Sequence, residues 1–211
     1  MTMKLHCFGE SGNAYKVALT LTLADQDWTP VYVDFFNGAT RTPEFRALNV
    51  MGEVPVFEDG DLILTQSGVI QDYISSKSGK LGGKSAAERR EVLRWMFFDN
   101  HKVSGIAGML RFQMNFLPEA KRNADVIGFL SMRLAAAFKT IEAQLAETPF
   151  LTGDELTIAD IACAGYLYYP EPFTFDRADY PHIDRWLDAI AATPGWKHPY
   201  DLMPGSPADR A

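Results

Sequence analysis

With 211 residues, 47% of them hydrophobic and 22% charged, the chain has the composition of one large or two small globular domains, which excludes a disordered chain, a collagen and a coiled-coil array. The 27 acidic residues exceed the 20 Lys and Arg, giving a formal net charge of -7, and since nucleic-acid binding depends on clustered basic side chains we expect no nucleic-acid partner. Cys7 and Cys163 are too few for a disulfide framework and lie in no CxxC or His-rich motif, so the sequence predicts no metal site and a reducing, cytoplasmic environment.

The first part of the chain alternates predicted strands and helices. Apolar spacing predicts, in chain order, a strand, a helix, a strand, a short helix, two hairpin strands and a helix, over residues 5–8, 14–21, 28–34, 42–48, 54–58, 62–64 and 69–74. The strand–helix–strand start implies a parallel pair, whereas the Asp59-Gly60-Asp61 turn implies an antiparallel pair. The fold class is therefore α/β with a mixed four-stranded sheet.

The second part of the chain has almost wholly helical periodicity. A Gly-, Ser- and Lys-rich linker over residues 78–85 separates a first domain, residues 1–77, from an all-α bundle, residues 86–211. Helices are predicted over 86–115, 127–145, 157–168 and 183–192, and the Pro- and Gly-rich tail over 198–205 is expected to be non-helical. No segment resembles a signal peptide or a membrane span, so no membrane partner is expected.

The spacing of Thr157 and Asp160 predicts a capping box at a helix start, with Leu156 packed on Ile161. The pattern predicts structure and no chemistry.

The turn that follows the first strand contains Ser11 and Asn13, for which two interpretations stand. Both residue types are frequent in turns and helix caps. Alternatively, the Ser11 hydroxyl and the helix-start donors face a thiolate. A free thiol with a pKa of about 8.5 is only about 3% ionised at pH 7. One hydrogen bond to a charged group contributes about 1.5–3 kcal/mol, which would lower that pKa by about one to two units without a general base.

Pro55 and Ser67 each stand at the edge of a predicted element, and each has a structural and a ligand-binding interpretation. A cis bond before Pro55 would leave the backbone N–H and C=O of Val54 free to accept a short peptide as an extra strand, although most X–Pro bonds are trans. Near the last helix of this domain, Thr65 or Ser67 is a candidate N-cap. The alternative is an anion site, in which the helix start and Ser67 hold a carboxylate and Gln66 holds a neighbouring amine.

One stripe of the long helix begins apolar and continues polar, which indicates either a cleft or an ordinary solvent-exposed face. His101 lies beside it, and a lone histidine is more often a packed or surface residue than a catalytic one. The stripe comprises Leu93, Phe97, Asn100, Ser104, Ala107 and Arg111.

Together these segments resemble the cytosolic glutathione transferase family, and the likeness spans nearly the whole chain. The residues that carry it are 11–17, 45–49, 52–56, 66–67 and 156–160. The resemblance implies a thioredoxin-like first domain, an all-helical second domain and a homodimer.

The resemblance also implies roles for the candidate site residues. Pro55 would be cis, Val54 would pair with the cysteinyl backbone of glutathione, and Gln66 with Ser67 would hold its γ-glutamyl end. Ser11 and Asn13 resemble the residues with which bacterial Ser-type and Asn-type classes contact the sulfur. We favour Ser11, because a hydroxyl stabilises a thiolate more directly than an amide on a loop.

Glu53 departs from the family pattern, because many relatives carry a basic or amide residue near the glycine carboxylate of glutathione. Repulsion is expected there unless Arg41 or a cation of a partner subunit compensates.

The activity that the resemblance implies is addition of the glutathione thiolate, glutathione being the co-substrate, to a small hydrophobic electrophile. This electrophile would lie near a pocket formed by Phe97, Asn100, His101 and Ser104. A glutathione-dependent disulfide or peroxide reductase is the neighbouring alternative, favoured if Asn13 dominates. A non-catalytic binding module of the same fold is the distinct alternative, and Glu53 motivates it.

Overall fold

The computed structural model describes residues 2–207, which divide into two units. The first unit comprises residues 2–81 together with 193–207, and the second comprises residues 82–192. The expected division placed the tail in the helical domain. The structure instead groups it with the first unit, where the hydroxyl of Tyr15 donates to the carbonyl oxygen of Lys197 at 2.9 Å.

The first unit contains a four-stranded mixed sheet in the order β2-β1-β3-β4. Strand β1 pairs in parallel with β2 and antiparallel with β3, which pairs antiparallel with β4. This confirms the predicted fold class. The elements are β1 Met3–Cys7, α1 Gly12–Leu23, β2 Trp28–Tyr32, α2 Pro43–Leu48, β3 Val56–Asp59, β4 Leu62–Thr65, α3 Ser67–Ser78 and, from the tail, α9 Pro199–Leu202.

The core of the first unit lies between the sheet and helices α1 and α3. Leu5 on β1, Val17 on α1 and Ile70 on α3 are fully buried there. A buried hydrogen bond of 3.0 Å from the Gln71 amide to the Thr20 hydroxyl also joins the two helices. Because β1 is central and α1 packs against it, the loop between them projects from a rigid base.

The tail differs from the sequence prediction in one respect. Residues Pro199–Leu202 form a single helical turn where no helix was expected. Pro199 stands at the first helical position, which tolerates proline because its missing N–H would have no partner there.

The second unit is mostly helical, as predicted. Its helices are α4 Ala86–Phe98, α5 Gly105–Arg111, α6 Ala124–Glu147, α7 Ile158–Ala164 and α8 Pro181–Ala191. The helix predicted over 86–115 is interrupted by two wider π-helical segments, Asp99–Ser104 and Phe112–Phe116. Helix α7 is shorter than predicted. Within residues 2–207, every helix is too short or too polar to cross a lipid bilayer.

The predicted capping box at the start of α7 is confirmed. Asp160 is fully buried, and one of its carboxylate oxygens accepts from the backbone N–H and the hydroxyl of Thr157, both at 2.9 Å. The other oxygen accepts from the backbone N–H of Leu151 at 2.8 Å and from the indole N–H of Trp186 at 3.0 Å. Asp160 therefore joins α7, the preceding loop and α8.

The start of α8 is capped from α6 by Glu142, and we expect the stability of the protein to depend on its charge. Its carboxylate accepts from the backbone N–H groups of His182 and Ile183, both at 2.9 Å, and lies 2.7 Å from His182 Nδ1. Partial burial raises the pKa of Glu142, but these hydrogen bonds outweigh it and hold the pKa below the ordinary value. The stabilisation is therefore complete above the unfolded-state pKa and is lost as the pH falls through the folded-state pKa.

Glu142→Gln is expected to lower the free energy of unfolding by about 1–2 kcal/mol near neutral pH and by less near pH 4. Urea unfolding of both proteins at the two pH values measures this difference. An equal loss at both would contradict a role for the charge.

Candidate functional site

Ser11 caps the N-terminus of α1 and also keeps a proton to donate. Its hydroxyl oxygen accepts from the backbone N–H of Ala14 at 3.2 Å, and the residue is only 8% exposed. A serine hydroxyl has one donor and two acceptor positions, so accepting this bond leaves the O–H for another partner. The capping and thiolate-binding interpretations of Ser11 are therefore compatible.

Asn13 links α1 to the start of α3. Its side-chain oxygen accepts from the ammonium group of Lys16 at 3.1 Å and from the hydroxyl of Ser67 at 3.5 Å. Since an ammonium group can only donate, this contact orients the amide, with the oxygen toward Lys16 and the NH₂ group on the other side. Asn13 thus carries its donors on the side away from Lys16.

The sequence interpretation did not assign any role to Lys16. The residue is only 1% exposed, although lysine is among the residues least often buried. Its position three residues after Asn13 on one helix was the available signal, because residues three apart share a helix face.

Val54 and Pro55 are joined by a cis peptide bond, as the sequence interpretation anticipated. Strand β3 begins only at Val56, two residues later than predicted. Within residues 2–207, the backbone N–H and C=O of Val54 make no hydrogen bond. Both groups are therefore available to pair with the backbone of a bound peptide.

The segment before Val54 is held by Asn49, a buried residue at the end of α2. Its amide donates to the carbonyl oxygen of Glu53 at 2.7 Å, and its side-chain oxygen accepts from the backbone N–H of Met51 at 3.1 Å. Asn49 belonged to the resembling segments but was not predicted to be a site residue. A polar residue that ends a short amphipathic helix was the only sequence signal for it.

The start of α3 has no capping side chain, so the prediction that Thr65 or Ser67 caps this helix is wrong. The residue before the helix is Gln66, and Ser67 is the first helical residue. Gln66 has φ +69°, a left-handed backbone conformation that is uncommon for residues other than glycine. Uncapped N–H groups and the positive end of the helix dipole make this helix start suitable for a carboxylate.

Glu53 and Arg41 lie on the same unit, and both are exposed. The carboxylate of Glu53 accepts from the side-chain amide of Gln66 at 3.4 Å. In the part of the chain that the structure describes, no ion pair joins Glu53 to Arg41. The charge of Glu53 therefore lies beside the proposed amine-binding residue.

Cys7 lies close in sequence to Ser11 but is not a candidate nucleophile. Its thiol is fully buried in β1, and this burial raises its pKa to about 12. A thiol nucleophile at this site would have to come from a ligand.

The residues predicted to contact an electrophile all lie in the second unit. Phe97 on α4 is 72% exposed, and Asn100 and His101 are exposed on the first π-helical segment. Ser104 differs, because it is buried and its hydroxyl donates to a carboxylate oxygen of Asp99 at 2.6 Å. π-Helical turns frequently occur at functional sites, which is consistent with a role for the exposed residues of this segment.

Arg111, the last residue of the predicted polar stripe, is buried rather than solvent-exposed. Its guanidinium lies 3.9 Å from the centroid of the Tyr169 ring and donates to the carboxylate of Glu171 at 2.8 Å. An ion pair and a cation–π contact therefore satisfy this charge within the unit.

Two family models match the chain. The model described as "Glutathione S-transferase, N-terminal domain" matches residues 1–76, and that described as "Glutathione S-transferase, C-terminal domain" matches residues 113–194.

Similar proteins are found along almost the full length of the chain. It is 32% identical to "Glutathione S-transferase 3" of Zea mays, over 97% of this chain and 96% of the relative. It is 27% identical to "Disulfide-bond oxidoreductase YfcG" of Escherichia coli strain K12, over 89% of each.

Solved structures share the fold. The crystal structure of a glutathione S-transferase from Pseudomonas fluorescens has a TM-score of 0.88 and 30% identity, covering 95% of this chain and 100% of the other. A theta class glutathione S-transferase from Xanthomonas axonopodis pv. citri, solved with glutathione bound, has a TM-score of 0.84 and 26% identity, covering 92% and 94%.

Proposed function

Because the chain belongs to the glutathione S-transferase family of enzymes, whose co-substrate is glutathione, we propose that it adds the glutathione thiolate to small hydrophobic electrophiles. The observation that carries the proposal is the contact between Asn13 and Ser67, which brings the start of α1, where Ser11 is the N-cap, close to the start of α3. A glutathione molecule whose γ-glutamyl end binds at the start of α3 can therefore bring the thiol of its central cysteinyl residue to Ser11.

The proposed placement of glutathione uses three features of the first unit. Its cysteinyl backbone pairs with the free backbone groups of Val54. Its γ-glutamyl carboxylate binds at the start of α3 beside Ser67, and Gln66 holds the amine. Its sulfur lies beside Ser11, with Asn13 as the alternative sulfur ligand.

The proposed chemistry requires only that the thiol of glutathione ionise. The O–H of Ser11 donates to the sulfur and stabilises the thiolate, while the thiol proton leaves to water. A bond of about 1.5–3 kcal/mol acting on the charged form alone lowers the thiol pKa by about one to two units. The thiolate then attacks the electrophilic carbon and expels the leaving group with its bonding pair.

The electrophile contacts stay a prediction from the sequence. Phe97, Asn100 and His101 are exposed and accessible to a ligand, whereas Ser104 is held by Asp99 and is withdrawn from the proposal.

A second candidate function is glutathione-dependent reduction of disulfides or peroxides. Two observations favour it: the similarity to the disulfide-bond oxidoreductase of E. coli, and the fixed orientation of the Asn13 amide. A non-catalytic module is the third candidate, and the carboxylate of Glu53 beside Gln66 motivates it.

We also infer from the family that the protein is a homodimer. We infer a cytoplasmic location from Cys7 and Cys163, which are both free and buried. Light scattering of the purified protein measures its mass. A mass of one chain would contradict the homodimer.

Calorimetry with glutathione, followed by turnover assays, separates the three candidates. Turnover of an aromatic halide supports the transferase, whereas turnover of only a small disulfide supports the reductase. Millimolar or absent glutathione binding would favour the module.

Glu53→Gln is expected to tighten glutathione binding about two- to fivefold, because it removes a negative charge close to where the glycine carboxylate is proposed to lie. The gain should shrink in high salt, which screens exposed charges. Calorimetry at two salt concentrations measures this, with Asp61→Asn as a control that removes an exposed charge from the hairpin turn. Equal effects of the two substitutions would mean that only net charge matters.

A further inference from the structure

The chain near its C-terminus packs directly against the loop that carries Ser11. A Cβ atom added to Gly9 would lie 3.1 Å from the backbone nitrogen of Ser206 and 3.2 Å from the carbonyl oxygen of Gly205. Both distances are shorter than ordinary van der Waals contact. The backbone of Gly205 and Ser206, within the segment of residues 203–206, therefore occupies the space that a side chain at position 9 would need.

The requirement for glycine at position 9 comes from this contact and not from the local backbone. Gly9 does not have a positive φ, so an L-amino acid could adopt its conformation. The close approach of the 203–206 segment is therefore the reason that position 9 requires glycine.

The 203–206 segment is anchored from two further sides. Helix α9, which precedes it, packs on α1, and the Tyr15 hydroxyl on α1 donates to the Lys197 carbonyl at 2.9 Å. Gly205 has φ +78° and lies so close to the ring of Tyr32 on β2 that a Cβ atom there would overlap it. The segment is therefore held between Tyr32 and the Ser11 loop.

We propose that the 203–206 segment is a positioning element that holds the Ser11 hydroxyl in place for the glutathione sulfur. Ser11 lies two residues after Gly9 in the same loop. Its backbone N–H donates to the carbonyl oxygen of Phe8 at 3.1 Å, which fixes Ser11 from within the loop. The segment closes the other side of that loop. The proposal rests on the proposed function, because it acts through Ser11.

Displacement of the loop should weaken thiolate stabilisation with little effect on glutathione binding. Hydrogen bonds weaken steeply with distance and angle, and a misplacement of 1 Å can cost about a hundredfold in rate. The proposed γ-glutamyl and backbone contacts are made by α3 and Val54, and none of these groups is among the nearest neighbours of Gly9, so the KM for glutathione should hardly change.

Gly9→Ala and Gly9→Val form a graded test, and Gly128→Ala is the matched control. Gly128 also lacks a positive φ, but its added Cβ would meet no atom within 4 Å. We expect Gly9→Val to lower kcat/KM at about pH 6.5 roughly tenfold and to raise the thiol pKa by about one unit in the pH profile, with smaller shifts for Gly9→Ala. Gly128→Ala should match the native protein.

Two further variants test the route through the segment. Gly205→Ala should reproduce the raised thiol pKa from the Tyr32 side, while Gly60→Ala, which has a similar φ of +62° but open space around it, should not. In a Ser11→Ala background, Gly9→Val should cause no further rise in thiol pKa.

A native thiol pKa in Gly9→Val and Gly205→Ala would overturn the proposal, as would a full additional effect of Gly9→Val without the Ser11 hydroxyl. Thermal unfolding verifies that each variant is folded. If Gly9→Val does not fold, the milder substitution Gly9→Ala is used for the test. If the native protein neither binds nor turns over glutathione, the proposed function fails and this inference falls with it. If the native protein turns over glutathione but the Gly9 variants keep its thiol pKa, only this inference fails and the proposed function stands.

Discussion

Replacement of Ser11 by alanine is expected to raise the pKa of the bound glutathione thiol by about one to two units. The side chain that donates to the thiolate is lost, while the groups proposed to bind the rest of glutathione stay in place. At about pH 6.5, kcat/KM should fall about ten- to a hundredfold, and most of the loss should be recovered at higher pH as the thiol ionises unaided. The pH profile of kcat/KM with an aromatic halide measures both effects.

The control for Ser11→Ala must separate catalysis from helix capping, because Ser11 also caps α1. Ser85→Ala is well matched, since the Ser85 hydroxyl caps α4 through the same type of bond, from the backbone N–H of Glu88 at 3.2 Å. Both variants should lose about 1 kcal/mol of stability, but only Ser11→Ala should lose turnover. Full activity of Ser11→Ala, with a raised thiol pKa in Asn13→Ala instead, would transfer the sulfur contact to Asn13.

Replacement of Asp160 by alanine is expected to cause the largest loss of stability in the second unit, about 3–5 kcal/mol. The carboxylate accepts four hydrogen bonds in a fully buried position. Its removal leaves buried donors of Leu151, Thr157 and Trp186 without an acceptor, and water does not replace it in a packed core. Urea unfolding followed by tryptophan fluorescence measures the loss.

Two further variants provide comparisons for the stability loss caused by Asp160→Ala. Asp160→Asn keeps one acceptor oxygen but directs an NH₂ group at the donors on the other side, so its loss should be smaller yet still substantial. Asp154→Ala removes an exposed carboxylate from the loop that precedes α7 and should change stability by less than about 0.5 kcal/mol. If Asp160→Ala were as stable as Asp154→Ala, the four bonds would not support the second unit.

Local patterns were predicted well wherever the interacting residues are close in sequence. The Thr157–Asp160 capping box follows from a three-residue spacing, and the hairpin follows from Asp59-Gly60-Asp61. The mixed sheet follows from the order of its elements. In the capping box and the hairpin the energy comes from neighbours along the chain, so the residue types alone indicate the geometry.

Prediction was weaker where a partner comes from elsewhere in the chain. The sequence indicated one partner of Asp160 but not Leu151 or Trp186. Ser67 was considered a helix cap, yet it is the first residue of the helix and donates to Asn13, 54 residues earlier. One difference was local: Ser104 was expected to line a pocket, but it is buried and its hydroxyl donates to Asp99, five residues earlier in the same π-helical segment.

The sequence by itself therefore determined the two-part α/β and all-α organisation, the family resemblance and the short-range turns and caps. Only the tertiary structure decided that Ser67 meets Asn13, that the tail joins the first unit and that Gly9 packs against the 203–206 segment. These features depend on which backbone segments meet after folding, and periodicity in a sequence reports the face a residue buries but not the residue it meets there.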